Sequence, residues 1–98
     1  MFEVRQTPAF DRWLENLPDL RARELIAKRI VRMQSGLLGD VEPVAEGVSE
    51  LRVHHGPGYR LYFVRRGKIL FLLLWGGDKA SQERDIRKAK ELAKTMEA

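Results

Sequence analysis

Cysteine is absent from the chain, and aromatic residues make up only 8% of its 98 residues. Without cysteine there is no disulfide framework, no thiol catalysis and no cysteine-ligated metal. Long apolar runs are missing too, because the longest, residues 69–75, falls far short of the ~20 residues that a membrane helix needs. Residues 1–10 also lack the basic start and apolar core of a secretory signal. We therefore expect a cytoplasmic protein without a membrane contact.

The composition is that of a globular protein, with 44% hydrophobic and 33% charged residues. A chain of this length builds one hydrophobic core, so we expect a single domain over residues 1–98. Lysine and arginine outnumber aspartate and glutamate by 18 to 14, which gives a formal net charge of +4. Such a balance attracts nucleic acid, anionic lipid or an acidic protein, and it also keeps a protein soluble. Charge alone does not choose among these.

The first third of the chain predicts a short strand followed by a hairpin of two helices. Residues 2–6 alternate between apolar and polar side chains, as a strand does. Thr7 and Pro8 then suit a helix N-cap and a first helical position. Apolar residues recur at helical spacing through residues 8–36, and Pro18 interrupts the pattern. This region therefore predicts two helices.

The rest of the chain predicts three neighbouring strands and a last helix. The strands fall at residues 48–54, 59–65 and 68–75, and residues 37–47 before them have the glycines and proline of a connection. The last strand is apolar on both faces, which predicts a central position in the sheet. A final helix is expected over about residues 81–96. The order predicts an α+β fold, in which the N-terminal strand and helix hairpin pack on an antiparallel sheet and a C-terminal helix follows.

Strand parity divides the side chains of two predicted strands between the two faces of the sheet. The apolar set, which we expect beneath the helix hairpin, consists of Leu51, Val53, Leu61 and Phe63. The set on the opposite face consists of Arg52, His54, Arg60 and Tyr62. Lys79, which follows the third strand, is placed to close the same patch.

This cluster of cations is suited to binding a phosphodiester and to stabilising the charge that builds on its oxygens. An aromatic ring beside it can stack on a base. Each residue also has an ordinary explanation, because strand arginines and turn histidines are commonly solvated and the basic last helix suits a solvated face with i, i+4 ion pairs. Residues 76–79 lack the spacing of a phosphate loop, and the adjacent His54 and His55 point in different directions, which disfavours a metal site. The residues alone favour binding or cleavage of single-stranded RNA.

A longer pattern runs from residue 50 to residue 89. It contains Glu50-Leu51-Arg52, Gly58-Tyr59-Arg60, a leucine-rich strand, Gly77-Asp78-Lys79, Gln82, Asp85-Ile86 and Ala89. Together with the N-terminal strand and helix hairpin, this pattern resembles the RelE/ParE superfamily of toxin–antitoxin toxins. It is most similar to the HigB-like group that is often called addiction module killer proteins. The likeness covers nearly the whole chain.

The resemblance implies a small RelE-like fold and the toxin of a type II toxin–antitoxin system. Such an mRNA interferase enters the ribosomal A site, cuts mRNA there and inhibits translation. Its reaction is the attack of a ribose 2′-hydroxyl on the adjacent phosphate, which needs a proton acceptor, a cationic clamp and a proton donor but no metal or cofactor. The implied partners are the ribosome, mRNA and a small antitoxin with a helix-turn-helix DNA-binding region. Operator DNA is reached only through that antitoxin.

Carried onto this chain, the resemblance assigns catalysis to Arg60, Lys79, His54 and Arg52. Arg60 matches the arginine at the start of the equivalent strand, and Lys79 matches a basic position after the last strand. The C-terminal helix lacks the tyrosine or histidine of the family's nucleases. We therefore assign the general base to His54, because an imidazole ordinarily titrates near neutrality, with Lys79 as the alternative. RNA binding is assigned to Tyr62, Tyr59 and Arg65.

Two other functions stay open at this point. ParE-like relatives share the fold and inhibit DNA gyrase without catalysis. A phage-derived member of the fold can also persist as an inactive interaction module. Arg52, Arg60 and Lys79 together favour the nuclease without excluding the gyrase inhibitor.

Overall fold

The computed structural model describes residues 1–68 and 70–95. Within these residues the order of elements is β1 (Glu3–Gln6), α1 (Pro8–Glu15), α2 (Leu20–Gln34), β2 (Val41–Ala45), β3 (Val48–Val53), β4 (Tyr59–Arg66), β5 (Leu70–Asp78) and α3 (Gln82–Thr95). A 3-10 turn, Lys79–Ser81, leads into α3. Ile69, inside the predicted third strand, and residue 96, the predicted end of the last helix, lie outside the described residues. None of the described helices is long and apolar enough to cross a membrane.

The strands form one sheet in the order β1-β5-β4-β3-β2. Strands β2 to β5 pair antiparallel with their neighbours, whereas β1 runs parallel to β5 at one edge, so the sheet is mixed. The α+β fold with its N-terminal strand, helix hairpin and C-terminal helix is confirmed.

Strand β2 corrects the sequence interpretation, which treated residues 37–47 as a connection. Pro43 argued against a strand here, because proline cannot donate a hydrogen bond to the ladder of a sheet and is depleted in strand interiors. Here β2 pairs only with β3, so it is an edge strand, where proline is tolerated. The strand brings acidic side chains beside β3, with Glu42 directly opposite Glu50.

The helix hairpin forms as predicted, and its first helix begins at the predicted cap. The Thr7 hydroxyl accepts a hydrogen bond from the Phe10 N–H at 3.1 Å, and Pro8 begins α1. Asp19 caps α2 in the same way, by accepting from two N–H groups of the first turn. Pro18 lies between the two helices, where it breaks the helical pattern.

Each face of the sheet carries its own hydrophobic cluster. Beneath the helix hairpin lie Leu51, Val53, Leu61 and Phe63, as parity predicts. The opposite face is not open, because α3 packs across it. The residues of this second cluster include Val48, Tyr62, Val64, Leu74, Ile86, Ala89 and Leu92. Strand β5 is therefore covered on both sides, as its apolar run predicts, with Leu73 in one cluster and Leu74 in the other.

Candidate functional site

Two arginines lie opposite each other where β3 ends and β4 begins. Arg52 and Arg60 are directly paired in the antiparallel register, and like charges in that position repel each other. The carboxylate of Glu50 lies between them. Its Oε1 is 3.6 Å from Arg52 Nε, and its Oε2 is 3.6 Å from Arg60 Nε. One buried anion therefore holds both guanidinium groups on the same face of the sheet.

Glu50 is 1% exposed and is the centre of this cluster. Its Oε2 accepts hydrogen bonds from Tyr62 Oη at 3.0 Å and from Gln82 Nε2 at 2.9 Å. A buried carboxylate is tolerated when it is both paired and hydrogen-bonded, and Glu50 meets both conditions. Sequence reasoning did not select Glu50 as a site residue, although parity already put it on the face of Arg52.

Arg52 has two further acidic partners. Its Nη2 is hydrogen-bonded to Glu42, and its Nε lies 3.8 Å from Asp40 Oδ1. The other oxygen of Asp40 is 2.6 Å from His54 Nε2. The hydrogen bond from His54, with the nearby charge of Arg52 adding to it, holds the pKa of Asp40 below its ordinary value. In the resulting row, basic side chains alternate with carboxylates in the order His54, Asp40, Arg52, Glu50 and Arg60.

Arg60 and Lys79 both approach Gly58. Arg60 Nη1 donates to the carbonyl oxygen of Gly58 at 2.8 Å. A Cβ placed on Gly58 would lie 3.1 Å from Arg60 Nη1 and 3.6 Å from Lys79 Cβ. The φ of Gly58 is +80°, a conformation that glycine adopts without strain. Gly58 therefore allows the turn and leaves room for the two cationic side chains.

An open polar groove lies beside Lys79, at the start of α3. Its lining comprises residues 78–84 together with Arg87. Arg84 and Arg87 add two cations to it, and Asp78 and Glu83 contribute carboxylates. Lys79 is exposed at this groove, whereas the side chain of Arg60 is only 12% exposed. The groove therefore gives an anion access to Lys79 and to the first turns of α3.

Four predicted catalytic residues are thus connected in space. Arg52 and Arg60 share Glu50, His54 reaches Arg52 through Asp40, and Lys79 adjoins Arg60 at Gly58. His54 is exposed, with 75% of its side chain accessible, and Lys79 is exposed as well. Their catalytic roles stay predictions.

The predicted RNA contact of Tyr62 is contradicted by its burial. The side chain is fully buried beneath α3 and belongs to the second hydrophobic cluster. Burial, together with the charge of Glu50, raises the pKa of Tyr62 well above its ordinary value. The phenol stays protonated and donates to Glu50, so it presents no ring on which a base can stack.

Tyr59 and Arg65, the other two predicted RNA contacts, lie on the opposite face from Arg60. Tyr59 is buried beneath the helix hairpin, with its ring edge-on to Trp13 at 6.2 Å. Burial raises the pKa of this phenol as well. The Arg65 guanidinium lies over the Phe2 ring, 5.1 Å from its centre. Parity explains both positions, because residues 59 and 65 alternate with residue 60 along β4.

Metal-ligating side chains do not gather in the part of the chain that the structure describes. Among residues 1–68 and 70–95, no three His, Cys, Asp or Glu side chains form a group that could hold a metal ion. The Asp40–His54 contact is therefore a pair rather than part of a larger ligand set.

A protein of similar sequence occurs in Haemophilus influenzae, where it is uncharacterized. It is 44% identical to this chain over 94 residues, which cover 96% of this chain and 95% of that protein. No protein-family model matches the chain. The similarity to the Haemophilus protein extends over almost the whole fold described above.

Proposed function

We propose that this chain, which belongs to the same family as the Haemophilus influenzae protein, is an endoribonuclease and the toxin of a type II toxin–antitoxin pair. The observation that carries the proposal is the approach of Arg60 and Lys79 to the same glycine, Gly58, beside a groove that Lys79 lines together with Arg84 and Arg87. Cations gathered at one groove attract a polyanion and stabilise charge that develops on a phosphate. The resemblance to RelE/ParE toxins supports ribosome-bound mRNA as the substrate.

The chemistry assigned to the site is the attack of a ribose 2′-hydroxyl on the adjacent phosphorus. His54 accepts the proton of the hydroxyl, and Asp40, whose low pKa keeps it anionic, orients the imidazole by a hydrogen bond of 2.6 Å. Arg60 and Lys79 neutralise the phosphate oxygens, for which the guanidinium and ammonium groups are suited. The 2′-oxygen–phosphorus bond forms, the bond to the 5′-oxygen breaks, and Lys79 gives that oxygen a proton. The products are a 2′,3′-cyclic phosphate and a 5′-hydroxyl end.

The proposal includes the partners that this function requires. The toxin acts in the cytoplasm, where it meets the ribosome and the message. A small antitoxin, acidic in the part that binds the toxin, restrains it and links it to operator DNA. The net charge of +4 supports both kinds of partner, because each of them is acidic.

A second candidate is a binding protein without catalysis, either a ParE-like gyrase inhibitor or an inactive interaction module. The observation that favours it is the neutralisation of Arg52 by Asp40, Glu42 and Glu50. An arginine with three acidic partners has less charge to offer a phosphate. The fold is common to both candidates, so only the residues of the site can distinguish the nuclease from the non-catalytic binding protein.

The experiment that tests the function is induction of the protein alone in a bacterial host, followed within minutes by mapping of mRNA 5′ ends. Arg60→Ala is the test variant, and Arg5→Ala, an exposed arginine on the far edge strand, is the charge-matched control. We expect new cuts inside translated frames with the wild type and with Arg5→Ala, and none with Arg60→Ala. Growth arrest with DNA damage signalling and intact message would support the gyrase inhibitor. Normal growth would support the inactive module.

A further inference from the structure

The guanidinium group of Arg60 is held from two sides. Its Nε faces inward, 3.6 Å from Glu50 Oε2, and its Nη1 donates to the carbonyl oxygen of Gly58 at 2.8 Å. The contact at Nε is an ion pair rather than a hydrogen bond, and together with the hydrogen bond at Nη1 it restricts the direction in which the planar guanidinium points. Only 12% of the side chain is exposed, so its surroundings restrict it further. Arg60 is therefore oriented before any anion arrives.

Glu50 is in turn fixed by neutral donors from two different elements. Tyr62 of β4 and Gln82, the first residue of α3, both donate to its Oε2, at 3.0 Å and 2.9 Å. Tyr62 is fully buried, and the same surroundings that raise its pKa keep it a donor over the physiological range. One carboxylate oxygen thus joins β3, β4 and α3 directly behind Arg60.

The charge of Glu50 opposes the binding of a polyanion. A carboxylate 3.6 Å from the nitrogen of a phosphate-binding arginine weakens the attraction of that arginine for RNA. Affinity for RNA therefore gives no reason for its presence. The orientation of the arginines does give a reason, because Arg52 and Arg60 are opposite each other and would move apart without an anion between them.

We propose that Glu50 is a positioning residue that orients Arg60 towards the scissile phosphate, and that Tyr62 and Gln82 hold Glu50 in place for that purpose. The inference rests on the proposed RNA cleavage. It gives Tyr62 a role behind the site rather than in contact with a base. It also makes α3 part of the site, since Gln82 begins that helix. Functional groups held by such a supporting layer keep the geometry that their chemistry needs.

The Glu50→Gln substitution separates the orientation of Arg60 from the charge of Glu50. Loss of the orientation slows cleavage, whereas loss of the negative charge strengthens RNA binding. The substitution keeps the shape of the side chain and removes the negative charge, so RNA binding should be unchanged or tighter. The rate of single-turnover cleavage on programmed ribosomes should nevertheless fall about 100-fold, the cost of misplacing a catalytic group by ~1 Å. A wild-type rate, or a rate that falls only in proportion to weakened binding, would overturn the proposal.

A matched control is available in the other buried carboxylate on the same face. Asp85 is 2% exposed and accepts from Trp75 Nε1 at 2.9 Å and from the Ser81 hydroxyl, but no hydrogen bond or ion pair joins it to Arg60 in the described residues. Asp85→Asn should therefore lower the stability while leaving the cleavage rate of the folded protein at the wild-type level. If Asp85→Asn slowed cleavage as much as Glu50→Gln, the effect would be one of folding, and the proposal would fail.

Arg60 itself provides a readout that does not depend on cleavage. In NMR spectra the Arg60 Nε–Hε signal, assigned from its loss in Arg60→Lys, should be rigid in the wild type and in Asp85→Asn but mobile in Glu50→Gln. An equally rigid signal in Glu50→Gln would overturn the proposal. If the wild type cut no RNA, the proposed function would fail, while this signal would still decide whether Glu50 orients Arg60.

Two milder variants keep the test decisive if Glu50→Gln does not fold. Tyr62→Phe and Gln82→Leu each remove one hydrogen bond from Glu50 and leave its charge in place. We expect each of them to increase the mobility of the Arg60 signal and to slow cleavage by less than Glu50→Gln does. Rigid signals and wild-type rates in both variants would contradict the proposal.

Discussion

Gly77 lies where β5 faces the start of α3, and a side chain at this position would collide with a buried carboxylate. A Cβ on Gly77 would lie 1.8 Å from Asp85 Oδ2 and 2.7 Å from Asp85 Cγ. Asp85 has no room to withdraw without losing its hydrogen bonds to Trp75 and Ser81. Glycine at this position is therefore a requirement of packing rather than of backbone conformation.

We expect Gly77→Ala to destabilise the protein by about 1–3 kcal/mol, because the added methyl group overpacks a filled site. The emission of Trp75 should change as well, since the indole loses its contact with Asp85. Urea denaturation followed by tryptophan fluorescence measures both effects. Gly47→Ala is the control, because a Cβ there meets nothing within 4 Å and costs only the strain of a φ of +84°. An unchanged native emission in Gly77→Ala would contradict the predicted clash.

Glu50 shows how much of a single residue's environment can be predicted from the sequence. Parity correctly put it on the face of Arg52, and nothing in its type or spacing distinguished it from a solvated strand residue. Its burial depends on Tyr62 and Gln82, which are 12 and 32 residues away in the sequence. A long-range network of this kind leaves no local pattern, so it emerges only when the fold is known.

Helix α2 and the turn between β3 and β4 are joined at a single side chain. Asp19 caps α2 with one carboxylate oxygen, and its other oxygen is 2.9 Å from His55 Nε2. The hydrogen bond from His55, and then those from the backbone of the first turn, lower the pKa of Asp19 in the folded protein. The carboxylate therefore stabilises the fold at any pH above its ordinary pKa of 3.8, and this contribution is lost as the pH falls through the lower folded value.

The Asp19→Asn variant tests this contact, because asparagine also caps helices but does not titrate. Above the ordinary pKa of aspartate, we expect the variant to have a smaller free energy of unfolding than the wild type. The difference should shrink on acidification, as the wild type loses the stabilisation and the variant does not. Urea denaturation at a series of pH values measures it. Parallel pH profiles for the two proteins would show that Asp19 makes no such contribution.

The elements with strong local signals were predicted well, and the others were not. The hairpin of α1 and α2 has caps and a helical stripe, and β4 and β5 have aromatic and branched side chains. Strand β2 was missed because Pro43 hides it and its pairing depends on β3. An element is predictable from sequence when its own residues favour it, and it is missed when its stability depends on pairing with another element.

The position of α3 on the sheet was not predicted, and this omission affected the predicted site more than any other. Its basic residues suggested a solvated face, but Ile86, Ala89 and Leu92 form an apolar stripe that has to be covered. Because the helix hairpin already occupies one face of the sheet, only the other face was available to α3. With α3 on that face, the sequence would have predicted a buried Tyr62, and Tyr62 would not have been assigned as an RNA contact.

At the scale of the whole molecule, the net charge of +4 allowed several kinds of acidic partner and did not predict the distribution of charge within the fold. Three carboxylates, those of Asp40, Glu42 and Glu50, surround Arg52, whereas the cations Lys79, Arg84 and Arg87 line the groove. Two of these carboxylates come from β2 and the segment before it, which the sequence interpretation treated as a connection. The electrostatic centre of the site therefore differs from the one that the arginines alone suggested.

The most direct measurement of the central claim is single-turnover cleavage of end-labelled mRNA on programmed ribosomes by the purified protein. We expect the wild type and Arg5→Ala to cut the message and leave a 2′,3′-cyclic phosphate, while Arg60→Ala cuts at least about 100-fold more slowly, the usual cost of removing one group that stabilises transition-state charge. A message with a 2′-deoxy nucleotide at the cut position should stay intact. Cleavage by Arg60→Ala at the wild-type rate, or equal cleavage of the 2′-deoxy message, would contradict the account.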